Sequence, residues 1–174
     1  MIVGSKVILR KKKLADARED FTWETDPELA RLDAVAPETI AYSFYLSEYT
    51  RELRESLPTS YRFSVDTLDG MHIGNCSYYN TNEAEGETEV GIMIGDRDYW
   101  DKGYGADAIT TLVSHLFQQT NFDRIYLKTL KTNARAQKCF KKCGFSLYGH
   151  FDRNGFSFAL MEIYRKQWQQ TNPA

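Results

Sequence analysis

Glu89-Val90-Gly91-Ile92-Met93-Ile94, followed across Gly95 to Asp98 by Tyr99-Trp100-Asp101-Lys102-Gly103-Tyr104-Gly105-Ala106, is the stretch on which the fold turns. Val90 to Ile94 is an apolar strand. Beyond the glycines, Ala108, Leu112, His115 and Leu116 keep a helical period that Val113 and Phe117 widen. A strand that runs through close-spaced glycines into a helix leaves unpaired backbone N–H groups at the helix start, and such a cluster receives anions. The same glycines also suit a tight turn that needs positive φ and nothing more. The loop lacks the lysine and Ser/Thr spacing of a P-loop and the third glycine of a dinucleotide fingerprint, so the residues alone leave both readings open.

Working outward, Tyr61 to Leu68 and Met71 to Tyr79 read as strands joined at the hairpin signal Asp69-Gly70, and a polar loop from Asn80 to Glu85 leads into the central strand. Short links between consecutive strands imply an antiparallel meander. Lys6 to Arg10 is an opening strand, and helical segments follow it with breaks at Pro27 and Pro37. On the other side, Arg124 to Leu130 is a strand, and Asn133 caps a helix from Ala134 to Lys142 that ends at Gly144. Phe145 to Phe151 and Phe156 to Tyr164 form a last strand pair. The expected architecture is mixed α/β, in the α+β sense, within one domain spanning residues 1–174.

Composition narrows the function classes. Hydrophobic residues make up 42% of the 174 and charged residues 26%, which is the balance of a soluble globular chain. The 22 basic and 24 acidic residues give a net charge of −2, without the basic excess that would draw nucleic acid. The run Arg10 to Lys13 is the local exception and reads as a solvated strand-to-helix turn. No apolar stretch approaches the roughly eighteen residues of a membrane span, and no signal-peptide core is visible, so a cytoplasmic protein is expected. Cys76, Cys139 and Cys143 show no metal-ligand spacing, and no metal site is expected.

In order along the chain, Glu89 to Ile94, Tyr99 to Ala106, Asn133-Ala134-Arg135-Ala136-Gln137-Lys138-Cys139-Phe140 and Lys142-Cys143-Gly144-Phe145 together resemble the GCN5-related N-acetyltransferases. Tyr99-Trp100 before Lys102-Gly103-Tyr104-Gly105 is similar to the branch that includes ribosomal-protein and polyamine acetyltransferases. The resemblance implies a mostly antiparallel twisted sheet flanked by helices and splayed by a bulge at the cofactor strand. It implies acetyl-CoA as acetyl donor, with Trp100, Asp101, Lys102, Gly103, Tyr104, Gly105 and Ala106 as the pyrophosphate loop. Ile92, Met93 and Ile94 would offer backbone groups to the pantetheine arm, and Asn133, Ala136 and Phe140 would border it. Trp100 replaces the family's usual Gln or Arg. Phe140 stands where many members carry a tyrosine that protonates the departing thiolate, which leaves water, another tyrosine or unassisted departure for that step.

Acetyl transfer to an amine also needs a base, because a lysine-like amine of pKa ~10.4 is neutral about once in 10³ molecules at neutral pH. Glu89 is the candidate: strand alternation places it on one face with Glu87, Gly91 and Met93, where neighbouring carboxylates would raise one another's pKa and attract a cation. Against that stands a plainer reading, in which Glu83, Glu85, Glu87 and Glu89 are a charged hairpin edge. The Ile94 N–H would polarise the carbonyl. Glu38, Glu48, Glu52, Tyr42 and Tyr45 would face an acceptor amine, whether a protein N-terminus, a polyamine, an aminoglycoside or a small amine. A non-catalytic acyl-CoA-binding module is the alternative that Phe140 suggests, and a nucleotide site is the third. A homodimer through the C-terminal strands is compatible with such folds.

Overall fold

The computed structural model describes residues 1–55 and 60–172. The strands are β1 (Ile2–Val3), β2 (Val7–Lys11), β3 (Ser60–Thr67), β4 (His72–Asn82), β5 (Glu87–Ile94), β6 (Arg124–Leu130), β7 (Ser146–Arg153) and β8 (Phe156–Tyr164). The helices are α1 (Ala17–Glu24), α2 (Pro27–Leu32), α3 (Tyr42–Arg54), α4 (Tyr104–Gln119), α5 (Ala134–Lys142) and α6 (Arg165–Thr171). The sheet order is β1-β2-β3-β4-β5-β6-β8-β7. All its neighbours are antiparallel except β5 and β6, whose parallel pairing follows from the crossover through α4.

The expected meander is β3-β4-β5. Gly70 (φ 89°) makes the first turn and Gly86 (φ 66°) the second. The segment read as a polar loop from Asn80 is instead strand as far as Asn82. Asn80 (φ 50°) sits in a register shift between Tyr79 and Asn82, where the two strands otherwise pair Tyr79 with Glu89 and Asn82 with Glu87. The irregularity therefore lies on β4, where the resemblance led us to expect a bulge splaying β5. The expected break at Pro27 falls between α1 and α2, where Pro27 opens α2 at its first turn behind the N-cap Asp26.

One face of the sheet carries α4 and α5. Ile109, Leu112, Leu116 and Phe117 of α4 pack with Val7, Val65, Ile73, Val90, Ile125 and Leu127 into one core. Each such side chain contributes about 1.5–3 kcal/mol on burial. The opposite face carries α1 to α3, around a smaller cluster of Ala17, Tyr45 and Tyr49.

Beneath α1 lies a buried ionic network that the sequence hid. Arg10 binds Asp16 and Asp66, Lys12 binds Asp20, and His72 lies between Asp66 and Asp20. Asn75 and Tyr49 donate to Asp20 as well. The Arg10 to Lys13 run is thus no solvated turn, since Arg10 and Lys12 side chains are only 13% exposed. Alternation along β2, carried one residue past its end, sent both inward, onto Asp16 in the turn before α1, Asp20 of α1 and Asp66 of β3.

Candidate active site

Pairing between β5 and β6 lasts only from Glu87↔Arg124 to Glu89↔Tyr126. β6 then stays with β8 through Leu130, while β5 stays with β4 through Ile94, so a gap opens between them. Gly95 N–H donates to Ile73 O, so alternation turns the backbone of Met93 toward β4 and that of Ile92 and Ile94 toward the gap. Of the three residues expected to offer edge groups, Ile92 and Ile94 thus turn their backbone toward the gap, while Met93 turns its backbone toward β4.

The gap leads to the glycine loop. Asp101 (φ 57°) and Gly103 (φ 87°) take left-handed backbone on either side of Lys102, and Gly103 caps α4. The first backbone bond of α4 runs from Asp107 N–H to Gly103 O, so the N–H groups of Tyr104, Gly105 and Ala106 come before any intrahelical partner. Nothing stands within ordinary contact of a Cβ at Gly103 except Lys6, at 3.8 Å. Asp107 holds the loop in place by accepting the backbone N–H groups of Ser5, Lys6 and Val7 at 2.7–3.1 Å, and Lys6 Nζ donates to Lys102 O. Open, convergent N–H groups beside a lysine fit a phosphate.

Trp100 does more than a backbone loop residue would. Its indole N–H donates to Ile94 O at 2.7 Å, and the Arg135 guanidinium stacks 3.5 Å from its ring centroid. The ring thus joins the end of β5 to the start of α5 across the mouth of the gap. Asn133 caps α5 by accepting Ala136 N–H at 3.1 Å, and Ala136 packs against the core. Phe140 is buried edge-on against Phe145, 6.1 Å between centroids. A surface depression of about 480 Å³, lined by Ala134, Gln137, Lys138, Lys141 and Lys142, lies on the outer face of α5, beside the gap and not in it. Cys139 and Cys143 interact with each other. That contact raises Cys139 and holds Cys143 down at about 7, and Cys143 also lies 3.6 Å from Ala106 O.

On the opposite face stands Glu89, 4% exposed. It accepts from Tyr79 OH at 3.2 Å and Asn80 Nδ2 at 2.8 Å, and Lys128 Nζ lies 3.0 Å from Oε1. This excludes the solvated-edge reading for Glu89. Glu87 is paired with Arg124, so each carboxylate has its own cation and the two do not act as an unscreened acidic pair. Burial first, then the Glu89 charge, raises the Tyr79 and Tyr126 hydroxyls, which keeps both protonated.

The acids expected to face an acceptor are partly occupied elsewhere. Glu48 pairs with Arg51 and Glu52 with Arg62 on the surface. Two others were missed. Glu24 accepts from Tyr45 OH, and surrounding protein raises its carboxyl. Asp33, at the end of α2, is exposed on this face, where the Lys128 charge acts on it. Neither sits in a sequence pattern that marks it, because α1 and α2 reach this face only through tertiary packing.

The chain matches a family model described as an acetyltransferase (GNAT) domain over residues 6–146. An uncharacterized N-acetyltransferase p20 of Bacillus licheniformis is 25% identical over 146 residues, 83% of this chain and 81% of that protein. The spermine/spermidine N(1)-acetyltransferase of Bacillus subtilis (strain 168) is 24% identical over 116 residues, 67% of this chain and 76% of that one. Among solved structures, spermidine N-acetyltransferase from Vibrio cholerae in complex with CoA and spermine superposes with a TM-score of 0.81 at 21% identity, covering 94% of this chain and 98% of that chain. The matched family, the gap between β5 and β6 and the open N–H groups at the start of α4 agree, and the chain belongs to the GNAT acetyltransferase family as an N-acetyltransferase.

Proposed function

We propose that the acceptor is a primary amine of a flexible polycation of the polyamine kind, and that Glu89 is the base that takes its proton. The observation that carries this is the position of Glu89, buried at the inner end of the gap and already holding an ammonium, that of Lys128. Glu24 adds a half-buried carboxylate on the same side, and Asp33 an exposed one within reach of the Lys128 charge. That arrangement suits a substrate with amines spaced along a chain, and one relative, the spermine/spermidine N(1)-acetyltransferase of Bacillus subtilis, acts on such molecules by its name.

In this reading acetyl-CoA supplies the activated acyl group, and the chain does the rest. The N–H groups of Tyr104, Gly105 and Ala106, with Gly103, hold the pyrophosphate. Trp100, Asp101 and Lys102 shape that loop, and Lys138, Lys141 and Lys142 offer positive charge beside it. Ile92 and Ile94 bind the pantetheine arm through their backbone, and Asn133, Ala136 and Phe140 wall its far side. Phe140 has no proton to give, and Tyr126, at the last paired position of β6, is the hydroxyl we assign to the departing thiolate. A cytoplasmic location fits a donor drawn from metabolism.

An acceptor screen measuring thiol release tests the reading, with spermidine, spermine, an aminoglycoside and an N-terminal peptide each offered with acetyl-CoA. The polyamines should give the highest kcat/KM. Preference for the peptide would overturn the acceptor assignment.

A further inference from the structure

Lys128 occupies the place in which a substrate amine is expected. Its Nζ lies 3.0 Å from Glu89 Oε1, its side chain is 39% exposed while that of Glu89 is 5% exposed, and its charge acts on Asp33. Strand alternation puts Tyr126 and Lys128 on the Glu89 face, since Ile125 and Leu127 belong to the core on the other. Continuing the parallel register from Glu89↔Tyr126 would bring Lys128 level with Gly91, but the strands have parted by then. Lys128 therefore stands across the opening from the one β5 residue on that face with no side chain to block it.

We propose that Lys128 is a modification site, acetylated by the protein's own centre when acetyl-CoA is bound and no acceptor is present. The step balances as an ordinary acyl transfer. Glu89 takes a proton from the Lys128 ammonium, the freed amine attacks the thioester carbonyl carbon, the C–N bond forms as the C–S bond breaks, and CoA leaves as thiolate to be protonated. Acetylation removes the Lys128 charge and its ion pair with Glu89, leaving that carboxylate to Tyr79 and Asn80. The inference rests on the assignment of the acceptor side at Glu89.

The test incubates purified protein with isotopically labelled acetyl-CoA and no acceptor, then maps labelled peptides by mass spectrometry over time, with thermal stabilisation by acetyl-CoA measured in parallel. Lys128 should acquire label about tenfold or more faster than the exposed Lys138, Lys141 and Lys142. Glu89→Gln should slow that labelling by about 10²-fold or more, the smaller end of a general-base contribution. Lys128→Arg should lose the label while keeping the stabilisation by acetyl-CoA. Stabilisation with Lys128 labelled no faster than the three α5 lysines would overturn the proposal and leave the donor site standing. Labelling unchanged in Glu89→Gln would overturn it too. Absence of any stabilisation would overturn the donor assignment, and this inference with it.

Discussion

Glu89 on β5 and Lys128 on β6 form a 3.0 Å ion pair across the point at which the two strands stop pairing. The narrow end of the gap is therefore also where a carboxylate already meets a primary amine. Glu89→Gln keeps the shape and the Asn80 contact but cannot accept a proton. It should lower kcat/KM for a cognate amine by about 10²–10⁴-fold and flatten the rising limb of its pH profile. Steady-state rates across the pH range check this, and an unaltered profile would remove Glu89 from the role.

Gly103 tests the donor loop. Its φ of 87° costs any other residue about 1 kcal/mol, and a Cβ there has room. Gly103→Ala and Gly103→Asp should each lower Tm by a few degrees, about 2–4 °C per kcal/mol for a chain of this size. Only the aspartate puts a negative charge among the open N–H groups. Thermal shift with acetyl-CoA should show stabilisation kept in Gly103→Ala and abolished in Gly103→Asp.

The ionic network beneath α1 predicts an acid limit. Burial alone would raise the Asp20 carboxyl, but the hydrogen bond from His72 and the charge and hydrogen bond of Lys12 outweigh it and hold Asp20 down at about 2. A depressed carboxylate contributes stability above its unfolded pKa of ~3.9, and that contribution is lost as pH falls toward the folded value. Urea unfolding should show stability falling between about pH 4 and pH 2, by on the order of 2 kcal/mol from this group. Asp20→Asn should be destabilised at neutral pH by about 3–5 kcal/mol, because Lys12 is left buried without its partner, and its acid loss should be shallower. A parallel decline in both proteins would show that Asp20 does not set the limit.

Much of the frame was legible in local pattern. Asp69-Gly70, Gly103 and Gly144 announce their turns because only certain residues take left-handed backbone cheaply, and all three glycines have positive φ here. The period of Ala108, Leu112 and Leu116 announced α4, and Asn133 announced the start of α5. Asn80 was not legible as strand. A bulge residue with φ 50° has the same polar signature as a loop, and only the partner strand shows that the ladder resumes beyond it. The roles of Arg10 and Lys12 were hidden for a related reason: a charge run shows no sign of the acids it will meet.

The sequence by itself determined the strand, the glycine loop, the helix after it and the asparagine-capped helix, together with their resemblance to one enzyme family. These rest on interactions a few residues long, which sequence spacing records directly. Tertiary structure alone decided that β5 and β6 part after Glu89 and Tyr126, that Met93 faces β4, that Glu89 is buried with Lys128, and that Asp33 and Glu24 face the same side. Each of those depends on which distant segments the sheet brings together, and the free energy that selects them comes from burial of the shared core, not from any one stretch of chain.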